Sequence, residues 1–327
     1  MTGGADRAPS TLVIGEALTD ILTGPDGRRC AVPGGSPANV ALGLARLGHP
    51  VRLATRIGGD GHGRELRRRL GGSGVLLTDG SVVADAATST ATAVLGADGA
   101  ASYRFDVDWS LPPLVIDLAA TGPVDHLHTG SVAALLAPGA ARVLAAVRAA
   151  RPRATVSYDP NLRPALLGTA ARERPRVEEL VALSDLVKAS DEDLGWLYPG
   201  QDSATAAARW VRTGPALVVL TRGAGGALAF WRHGSHRVAP IPVEVVDTVG
   251  AGDAFMAGLL GGLLRAGLLG GGSAPGRVPA RDELRAATGA DRLPASVVGS
   301  LALAARTAAL TCTRPGADPP HRADLAR

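Results

Sequence analysis

The stretch VEVVDTVGAGDAFMAGLLGGLLRAG, residues 243–267, decides how the rest of the chain can be interpreted. β-Branched residues lead into Gly250-Ala251-Gly252-Asp253, and a long apolar segment follows. This pattern predicts a strand, a glycine turn and a buried helix that begins near Asp253. The first amides of such a helix have no partner within it and lie at the positive end of its dipole. We therefore expect the turn to bind an anion, and specifically a phosphoryl group.

The carboxylate at this helix start has two interpretations. Asp253 can stabilise the helix as a cap or a first-turn acidic residue, with no further role. It would also stand beside the amides of Gly250, Ala251 and Gly252, which could neutralise charge on a transferred phosphoryl group. A carboxylate in that place can accept the proton of an attacking hydroxyl. The second interpretation describes a kinase.

A second glycine turn occurs early, in VPGGSPANVALGLARLG, residues 32–48. Ser36 suits the N-cap of a helix, Pro37 its first position and Gly48 its end, so the segment predicts another strand, loop and helix.

Polar groups near this turn suit a polyol. Gly34 and Gly35 permit close approach of the backbone, and Asn39, one turn into the helix, offers both a donor and an acceptor. Asp20 follows the first strand in GEALTD. Taken alone, the same residues also fit an ordinary tight turn with Asn39 on the surface.

The alternation of apolar runs with helical patterns predicts the architecture. Strand-like runs lie at 11–18, 51–57, 124–130, 154–160, 185–190 and 216–223, and helical segments include 137–150 and 202–212. Short buried strands separated by helices indicate an α/β fold whose mainly parallel sheet carries helices on both faces.

Residues 90–107 break that alternation. They contain two strand patterns around Asp98-Gly99, which is a hairpin signal. We predict a small antiparallel lid on one domain spanning 1–327, formed by about 20–32 and 88–109. Residues 268–296 contain glycine, proline and charge without an apolar period, and predict a flexible surface loop.

The composition, 46% hydrophobic and 20% charged, is that of a globular protein. No apolar run approaches the ~18 residues that a spanning helix needs, and MTGGADRAPS lacks the apolar stretch of a secretion signal. Cys30 and Cys312 are too few for a disulfide framework or a four-cysteine zinc site. We expect a cytoplasmic protein with no membrane partner and no structural metal.

The net charge of +4 does not indicate nucleic-acid binding. Only Lys188 among the 34 basic residues is a lysine, and the arginines at 64–69 fit the solvated face of a helix. Aromatic residues make up 3%, so the bases of a single strand would find few stacking platforms. The chain also lacks G-x-x-x-x-G-K-[ST], G-x-G-x-x-G after a strand, H-E-x-x-H, C-x-x-C and G-x-S-x-G.

Taken together, the motifs resemble the ribokinase and fructokinase family of sugar kinases, the phosphofructokinase-B type, and its fructokinase-like members most closely. The resemblance covers almost the whole chain in order: GEALTD, PGGSPANVALGLARLG, RIGGDGHGRELRRRL, HTGSV, SYDPNLR, DLVKASDEDL, LTRGAGGA, DTVGAGDAF and CTRPGA. It implies a three-layer α/β/α ribokinase-like fold with a β-sheet lid, and transfer of the ATP γ-phosphoryl group to a sugar hydroxyl with Mg²⁺.

The resemblance also implies roles for single residues. Asp253 becomes the catalytic base, with the anion hole at Gly250, Ala251 and Gly252. The residues implied in sugar binding are Asp20, Gly34, Gly35, Asn39, Tyr103, Arg104, Phe105 and Arg163. Those implied in ATP binding are Lys188, Ser190, Thr221, Gly223, Gly225, Gly226 and Gly252.

Cation sites follow from the same resemblance. Asp247 and the carbonyl of Val249 match a monovalent-cation site of some members, which would take K⁺. Where many members have N-x-x-E, this chain has Ser190-Asp191-Glu192-Asp193, so the magnesium-side carboxylate is Glu192 or Asp193. His126 and His128 alternate on a strand and predict core packing.

The motifs GEALTD, PGGSPANVA and SYDPNLR resemble those of the fructokinase-like members, which favours fructose as the substrate. The alternatives are a 2-keto-3-deoxygluconate kinase, in which Arg104 or Arg163 would meet the carboxylate, and a nucleoside kinase of the same fold. A non-catalytic sugar-binding regulator is a third alternative, which should have lost the base or the turn glycines. The lid would expose sheet edges that two copies could pair, so we expect a homodimer.

Overall fold

A computed structural model describes residues 8–23, 29–95, 101–111, 124–270 and 279–326. Its main sheet has nine strands. From one edge to the other they are β15 (Gly234–Val238), β14 (Ala227–Trp231), β13 (Leu217–Thr221), β12 (Leu186–Ser190), β11 (Thr155–Asp159), β10 (His126–Gly130), β1 (Thr11–Ile14), β4 (Val51–Ala54) and β6 (Val75–Leu77). The pairings from β6 to β13 are parallel, and β14 and β15 join antiparallel. The mainly parallel sheet is confirmed.

Helices cover both faces of this sheet. On one face lie α1 (Ser36–Arg46), α2 (Gly61–Gly72), α7 (Ala251–Arg265), α8 (Ala280–Ala287) and α9 (Ala295–Cys312). On the other lie α3 (Gly139–Ala150), α4 (Ala170–Leu183), α5 (Asp191–Leu197) and α6 (Ser203–Trp210). Strand β1 shows why: Leu12 and Ile14 pack into one buried cluster and Val13 into the other. Alternating apolar side chains thus give two cores and the expected three layers.

A separate sheet of four strands forms the lid. Its order is β3 (Arg29–Gly34), β2 (Leu18–Thr23), β8 (Thr90–Leu95) and β9 (Ala101–Asp106). These strands agree with the predicted lid segments, although β2 begins at Leu18 and β3 continues to Gly34. The prediction of an antiparallel lid is wrong for its central pair, because β2 and β8 run parallel. The predicted Asp98-Gly99 turn lies outside the described residues. A short two-stranded pairing joins β5 (Ile57–Gly58) and β7 (Val82–Val83).

The lid is fixed to the three layers on the side of β8 and β9. Asp60, the N-cap of α2, accepts hydrogen bonds from the Thr88 amide at 2.9 Å and from its hydroxyl at 2.6 Å. Arg56 pairs with Asp108, which follows β9, at 2.7 Å. Thr88 leads into β8, so these two contacts hold the entrance and the exit of one lid hairpin.

The expected flexible loop at 268–296 contains ordered structure. Helix α8 buries Ala280 and Leu284, and Arg281 bonds the Asp185 carboxylate with 2.6 Å between Nε and Oδ1. The loop prediction is wrong for this part, because a helix of eight residues buries too few apolar side chains to show a period. Residues 271–278 lie outside the described part of the chain.

Helix α9 contradicts the expectation that no apolar segment approaches the length of a membrane-spanning helix. Its 18 residues, Ala295–Cys312, are long and apolar enough to cross a membrane by length and composition. One face nevertheless packs along α7, where Gly258 lies against Ala304 and Thr307 so closely that a Cβ would meet them at 2.7–3.0 Å. Small residues therefore let the two helices approach each other.

Candidate active site

The glycine turn before α7 has the predicted form. Gly250 adopts a left-handed φ of 76°, and a Cβ there would lie 2.5 Å from the Cβ of Ala317. The helix begins at Ala251, whose amide bonds the carbonyl of Thr248 at 3.2 Å. The amides of Gly252 and Asp253 lie in the first turn, where a helix offers no acceptor. The turn therefore presents donors to an anion, with the amide of Ala251 already engaged.

Asp253 is held by two side chains from α1. Its Oδ1 accepts from the Ser36 hydroxyl at 2.7 Å, and its Oδ2 accepts from Asn39 Nδ2 at 2.8 Å. The residue is only 8% exposed. Burial raises the pKa of Asp253, while these bonds and the charges of Lys188 and Arg163 oppose the rise. Each oxygen keeps a further lone pair, so the fixed carboxylate can still accept a proton.

One assignment near α1 needs correction. Ser36 is not the N-cap: that position is Gly35, with φ 100°, and Ser36 begins the helix with its hydroxyl bonded to Asp253. Asn39, expected to bind sugar, donates its Nδ2 to the same carboxylate, and its role in sugar binding stays a prediction. The sequence did not reveal the contact of Ser36 with Asp253, because a serine before Pro37 has the pattern of a cap.

A buried ion pair lies against the turn. Lys188 Nζ bonds Asp159 Oδ2 at 2.8 Å, with the two side chains 4% and 1% exposed. A Cβ on Gly252 would lie 3.2 Å from the same Nζ. Burial alone would lower the pKa of Lys188, but the carboxylates of Asp159 and Asp193 raise it above its ordinary value. A fixed positive charge thus supports the anion site. Asp159 was missed by the sequence interpretation, although SYDPNLR contains it.

The candidate magnesium-side residues differ in their surroundings. Asp193 Oδ1 accepts from the Leu162 amide at 2.6 Å, and Oδ2 accepts from the amide and hydroxyl of Ser190, each at 2.8 Å. Ser190 is the N-cap of α5, because its hydroxyl oxygen accepts from the Asp193 amide at 3.0 Å. Glu192 is exposed. Within the described ranges, no three acidic, histidine or cysteine side chains form a metal cluster. The donor set fits a Mg²⁺ carried mainly by phosphates and water.

Asp20 and Gly34 form the other side of the cleft. A Cβ on Gly34 would lie 2.0 Å from Asp20 Oδ2, so glycine makes room for this carboxylate. Burial raises the pKa of Asp20 to about 6, Arg163 lowers it and Asp253 raises it. No hydrogen-bond donor to Asp20 occurs in the part of the chain that is described. Arg163 is exposed and bonds Asn161 Oδ1 at 2.8 Å. These charges share one cleft.

The register of the lid strands places the predicted lid residues Phe105 and Arg104 on opposite faces of the lid sheet. Asp20 pairs with Ala91, which pairs with Phe105, so these three share one face of the lid. Arg104 is exposed and takes the opposite face, away from Asp20. The expectation that Arg104 joins the sugar site is therefore not supported by this geometry. Tyr103 belongs to β9, and its side chain lies outside the described residues.

The predicted ATP loop is a glycine-rich turn between β13 and β14. Gly223–Gly225 form one 3₁₀ turn, and Gly226 has a φ of 81°, with 2.3 Å from its would-be Cβ to the Val238 carbonyl. Thr221 ends β13 and bonds the Ala189 carbonyl at 3.3 Å. Tight packing is enough to explain why residue 226 is a glycine. Gly223 and Gly225, by contrast, are exposed beside the ends of the parallel strands.

The candidate monovalent-cation loop is tied to the C-terminal segment. Asp247 Oδ1 accepts from the Val249 amide at 3.0 Å, and Oδ2 accepts from the Gly316 amide at 2.8 Å. Its carboxylate therefore holds two loops together, and the K⁺ site stays a prediction.

The two histidines of β10 have a core role, as predicted. His126 bonds the hydroxyls of Thr155 and Ser157 at 2.8 and 2.9 Å, and His128 bonds Ser157 at 2.9 Å. Burial lowers the pKa of both imidazoles to about 3, so both are neutral at pH 7.

A buried carboxylate at a helix N-terminus, a glycine turn that presents amides to an anion, and a second carboxylate on the lid are typical of a phosphotransferase of the three-layer α/β class. The pattern of the pfkB family carbohydrate kinases matches residues 23–323. The chain belongs to this family of sugar kinases, and the resemblance drawn from its motifs is confirmed.

Its relatives include several fructokinases. The fructokinase of Klebsiella pneumoniae is 34% identical over 262 residues, which cover 78% of this chain and 85% of that protein. A fructokinase of Xylella fastidiosa with bound ATP has a TM-score of 0.79 at 28% identity, covering 95% and 94% of the two chains. A double mutant of a Vibrio cholerae fructokinase, with fructose, ADP and potassium bound, has a TM-score of 0.75 at 27% identity and 99% coverage of both.

Proposed function

We propose that this protein transfers the γ-phosphoryl group of ATP to a terminal hydroxyl of fructose. The observation that carries the proposal is Asp253, fixed by Ser36 and Asn39 at the opening of α7 and facing the cleft that holds Asp20. The fructokinase relatives, including those with bound ATP or fructose, support both substrates.

The residues of the turn divide the chemistry between them. Asp253 takes the proton of the attacking hydroxyl, which its buried position and raised pKa favour. The amides at Gly252 and Asp253 hold the phosphoryl oxygens, and Lys188 supplies positive charge next to them. Mg²⁺, when bound with ATP, shields the phosphate charge. Asp253 then gives its proton to water.

The geometry favours a neutral sugar. Asp20 offers a carboxylate whose oxygens are left for ligand hydroxyls, which need partners once they leave water. The carboxylate of 2-keto-3-deoxygluconate would need a cation, and Arg163 alone remains, because Arg104 takes the opposite face of the lid. A nucleoside would need aromatic platforms, and aromatic residues are 3% of the chain. A non-catalytic regulator does not require the fixed base and open turn that this chain keeps.

Cations complete the proposal. We assign the magnesium side to Glu192 or Asp193, and Asp193 would act through water, since its oxygens already accept protein hydrogen bonds. We assign K⁺ to the loop of Asp247 and the Val249 carbonyl, supported by the potassium-bound fructokinase of Vibrio cholerae.

We also propose a cytoplasmic homodimer. Both cysteines, Cys30 and Cys312, are free, which suits a reducing compartment. The lid has β3 and β9 as its outer strands, and pairing one of these edges with a second copy would satisfy its backbone groups. Light scattering at assay concentration tests the assembly, and a monomer would remove this part of the proposal.

Steady-state release of ADP over fructose, 2-keto-3-deoxygluconate, nucleosides and other hexoses tests the function. We expect the largest kcat/KM for fructose. A larger value for the sugar acid or a nucleoside would overturn the fructose assignment and leave the kinase assignment standing. No ADP release with any acceptor would overturn the proposed catalysis.

A further inference from the structure

One residue of the turn after β10, Ala133, forms a backbone hydrogen bond with a side chain at each end of the lid. The Ala133 amide donates to Glu16 Oε2 at 3.2 Å, and Glu16 lies just before β2. The Ala133 carbonyl accepts from Trp109 Nε1 at 2.8 Å, and Trp109 follows β9. Both side chains are buried, at 3% and 2% exposure. The chain therefore enters and leaves the lid against a single fixed point.

Glu16 is poorly explained by folding alone. Desolvation by burial raises its pKa to about 7, partly offset by hydrogen bonds from the Ser131 side chain and the Ala133 amide and by the charge of Arg163. A buried carboxyl costs stability unless it is well paired. Its partners all belong to the turn or, in the case of Arg163, to the cleft.

The turn that binds Glu16, at residues 131–134, has a strained backbone. Ser131 has φ 56° and ψ −155°, a strained conformation that L-residues rarely adopt. Its amide bonds the Asp159 carbonyl at 3.0 Å, and a Cβ on Gly130 would lie 2.0 Å from that carbonyl. Trp109 is pinned similarly, since a Cβ on Gly139 would lie 2.3 Å from its carbonyl oxygen. Strain of this kind persists where the surroundings enforce it, which is typical of functional sites.

We propose that Glu16 is a positioning residue that, with Trp109, sets the angle of the lid: Glu16 binds the backbone amide of Ala133, and Trp109 binds its carbonyl. Glu16 lies four residues before Asp20, so the hydrogen bonds to Ala133 determine the position of the Asp20 carboxylate, which is proposed to bind sugar, relative to Asp253. The proposal rests on the proposed function for its kinetic readout, because lid placement matters to sugar binding. The contacts of Asp60 with Thr88 and of Arg56 with Asp108 keep the lid attached when the hydrogen bonds to Ala133 are lost.

Three variants test whether the hydrogen bonds of Glu16 and Trp109 with Ala133 position the lid. Glu16→Ala removes the acceptor. Glu16→Gln keeps an acceptor for the Ala133 amide and replaces the acceptor of the Ser131 hydroxyl with an amide donor, which the same hydroxyl can accept from. Trp109→Phe removes only the indole donor. Losing one such bond raises the fructose KM by about tenfold in Glu16→Ala and Trp109→Phe, with the ATP KM within about twofold. Glu16→Gln restores the fructose KM to within about threefold of wild type. Trp210→Phe is the matched control, because its buried Nε1 bonds Tyr198 Oη instead and lies away from the lid.

A second readout needs no substrate. Hydrogen exchange of the amides in β2 and β9 should be faster in Glu16→Ala and Trp109→Phe than in wild type, and unchanged in Trp210→Phe. Unchanged exchange with an unchanged fructose KM, or equal rises of the fructose and ATP KM, overturns the proposal. If Glu16→Ala does not fold, Trp109→Phe decides by the same criteria. A wild-type protein inactive on fructose overturns the proposed function, and the exchange experiment then decides the positioning role alone.

Discussion

The two sides of the cleft are built differently. On the turn side, meaning Asp159, Lys188, Asp193, Gly252 and Asp253, protein partners hold each charged group. Asp253 accepts from Ser36 and Asn39, and Lys188 is paired within the core. On the lid side, meaning Asp20, Gly34, Phe105 and Arg163, the Asp20 carboxylate receives no hydrogen bond from the described residues and Arg163 is exposed.

Under the proposed function, this difference separates catalysis from substrate selection. Groups that must meet developing charge work best when they are fixed before the reaction, since nothing then has to reorganise. Groups that recognise a substrate gain selectivity when only the correct ligand satisfies them. Under the proposed function, the turn side therefore carries the phosphoryl transfer and the lid side selects the acceptor.

The largest effect should come from the base on the turn side. Asp253→Asn keeps the contacts to α1 nearly intact but cannot take a proton, so kcat should fall by about 10²- to 10⁴-fold. ATP binding, measured by titration calorimetry, should stay near wild type. Asp202→Asn, which alters only the exposed N-cap of α6, is the control for the same chemical change. More than a tenth of wild-type turnover in Asp253→Asn would refute the assigned role.

Breaking the buried pair should cost mainly stability. Lys188→Met leaves the Asp159 carboxylate buried without its partner, which should lower the free energy of unfolding by about 3–5 kcal/mol. Urea denaturation measures this change. Arg148→Met, which breaks the exposed pair with Glu179, should cost less than about 1 kcal/mol. Equal losses in the two variants would show that the turn side is not the preformed region described here.

The lid side should respond through sugar affinity. Asp20→Asn removes a charged acceptor, so the fructose KM should rise about 10- to 100-fold while the ATP KM stays within about twofold. Steady-state kinetics with each substrate varied in turn separates the two constants. A proportional rise of both would mean that Asp20 serves the whole cleft, and the contrast between the two sides would fail.

The same carboxylate predicts a pH dependence. The pKa of Asp20 is raised by burial to about 6, so the ionised acceptor predominates at pH 7 and is about one-tenth populated at pH 5. Lowering the pH over this range should raise the fructose KM by about tenfold in the wild type. Asp20→Asn should lose this component of the profile. A pH profile identical in the two proteins would contradict the assignment.

The smallest effect concerns the hydroxyl that steadies the base. Ser36→Ala removes one of the two bonds to Asp253 but leaves that of Asn39, so kcat should fall by about three- to tenfold. Ser300→Ala is the control, because its hydroxyl bonds only a carbonyl of its own helix. Wild-type turnover in Ser36→Ala would assign the positioning to Asn39 alone.

Local patterns were sufficient for the architecture and for the turn. The strand and helix periods gave the parallel sheet, and a glycine sequence opening an apolar helix placed Asp253 at a helix N-terminus. Such features depend on neighbours along the chain. The contact of Ser36 with Asp253 joins residues 217 positions apart, and nothing local distinguishes it from a cap.

Other features needed the register of the strands. Alternation alone places Phe105 and Arg104 on opposite faces of β9, but the face that meets the cleft depends on the pairing of β8 with β2. The pair of Asp159 and Lys188 likewise depends on how two neighbouring strands align. Helix α8 escaped prediction because its burial rests on Ala280 and Leu284, which are too few to show a period.

The burial of Lys188 has a practical consequence, because it is the single lysine of the chain. A lysine-specific protease has one peptide bond to cut, between Lys188 and Ala189, inside the central strand β12. In the folded protein the ammonium of Lys188 is shielded from an amine-reactive label, since the side chain is 4% exposed. The rate of cleavage or labelling at this one position therefore measures opening of the structure around the anion site.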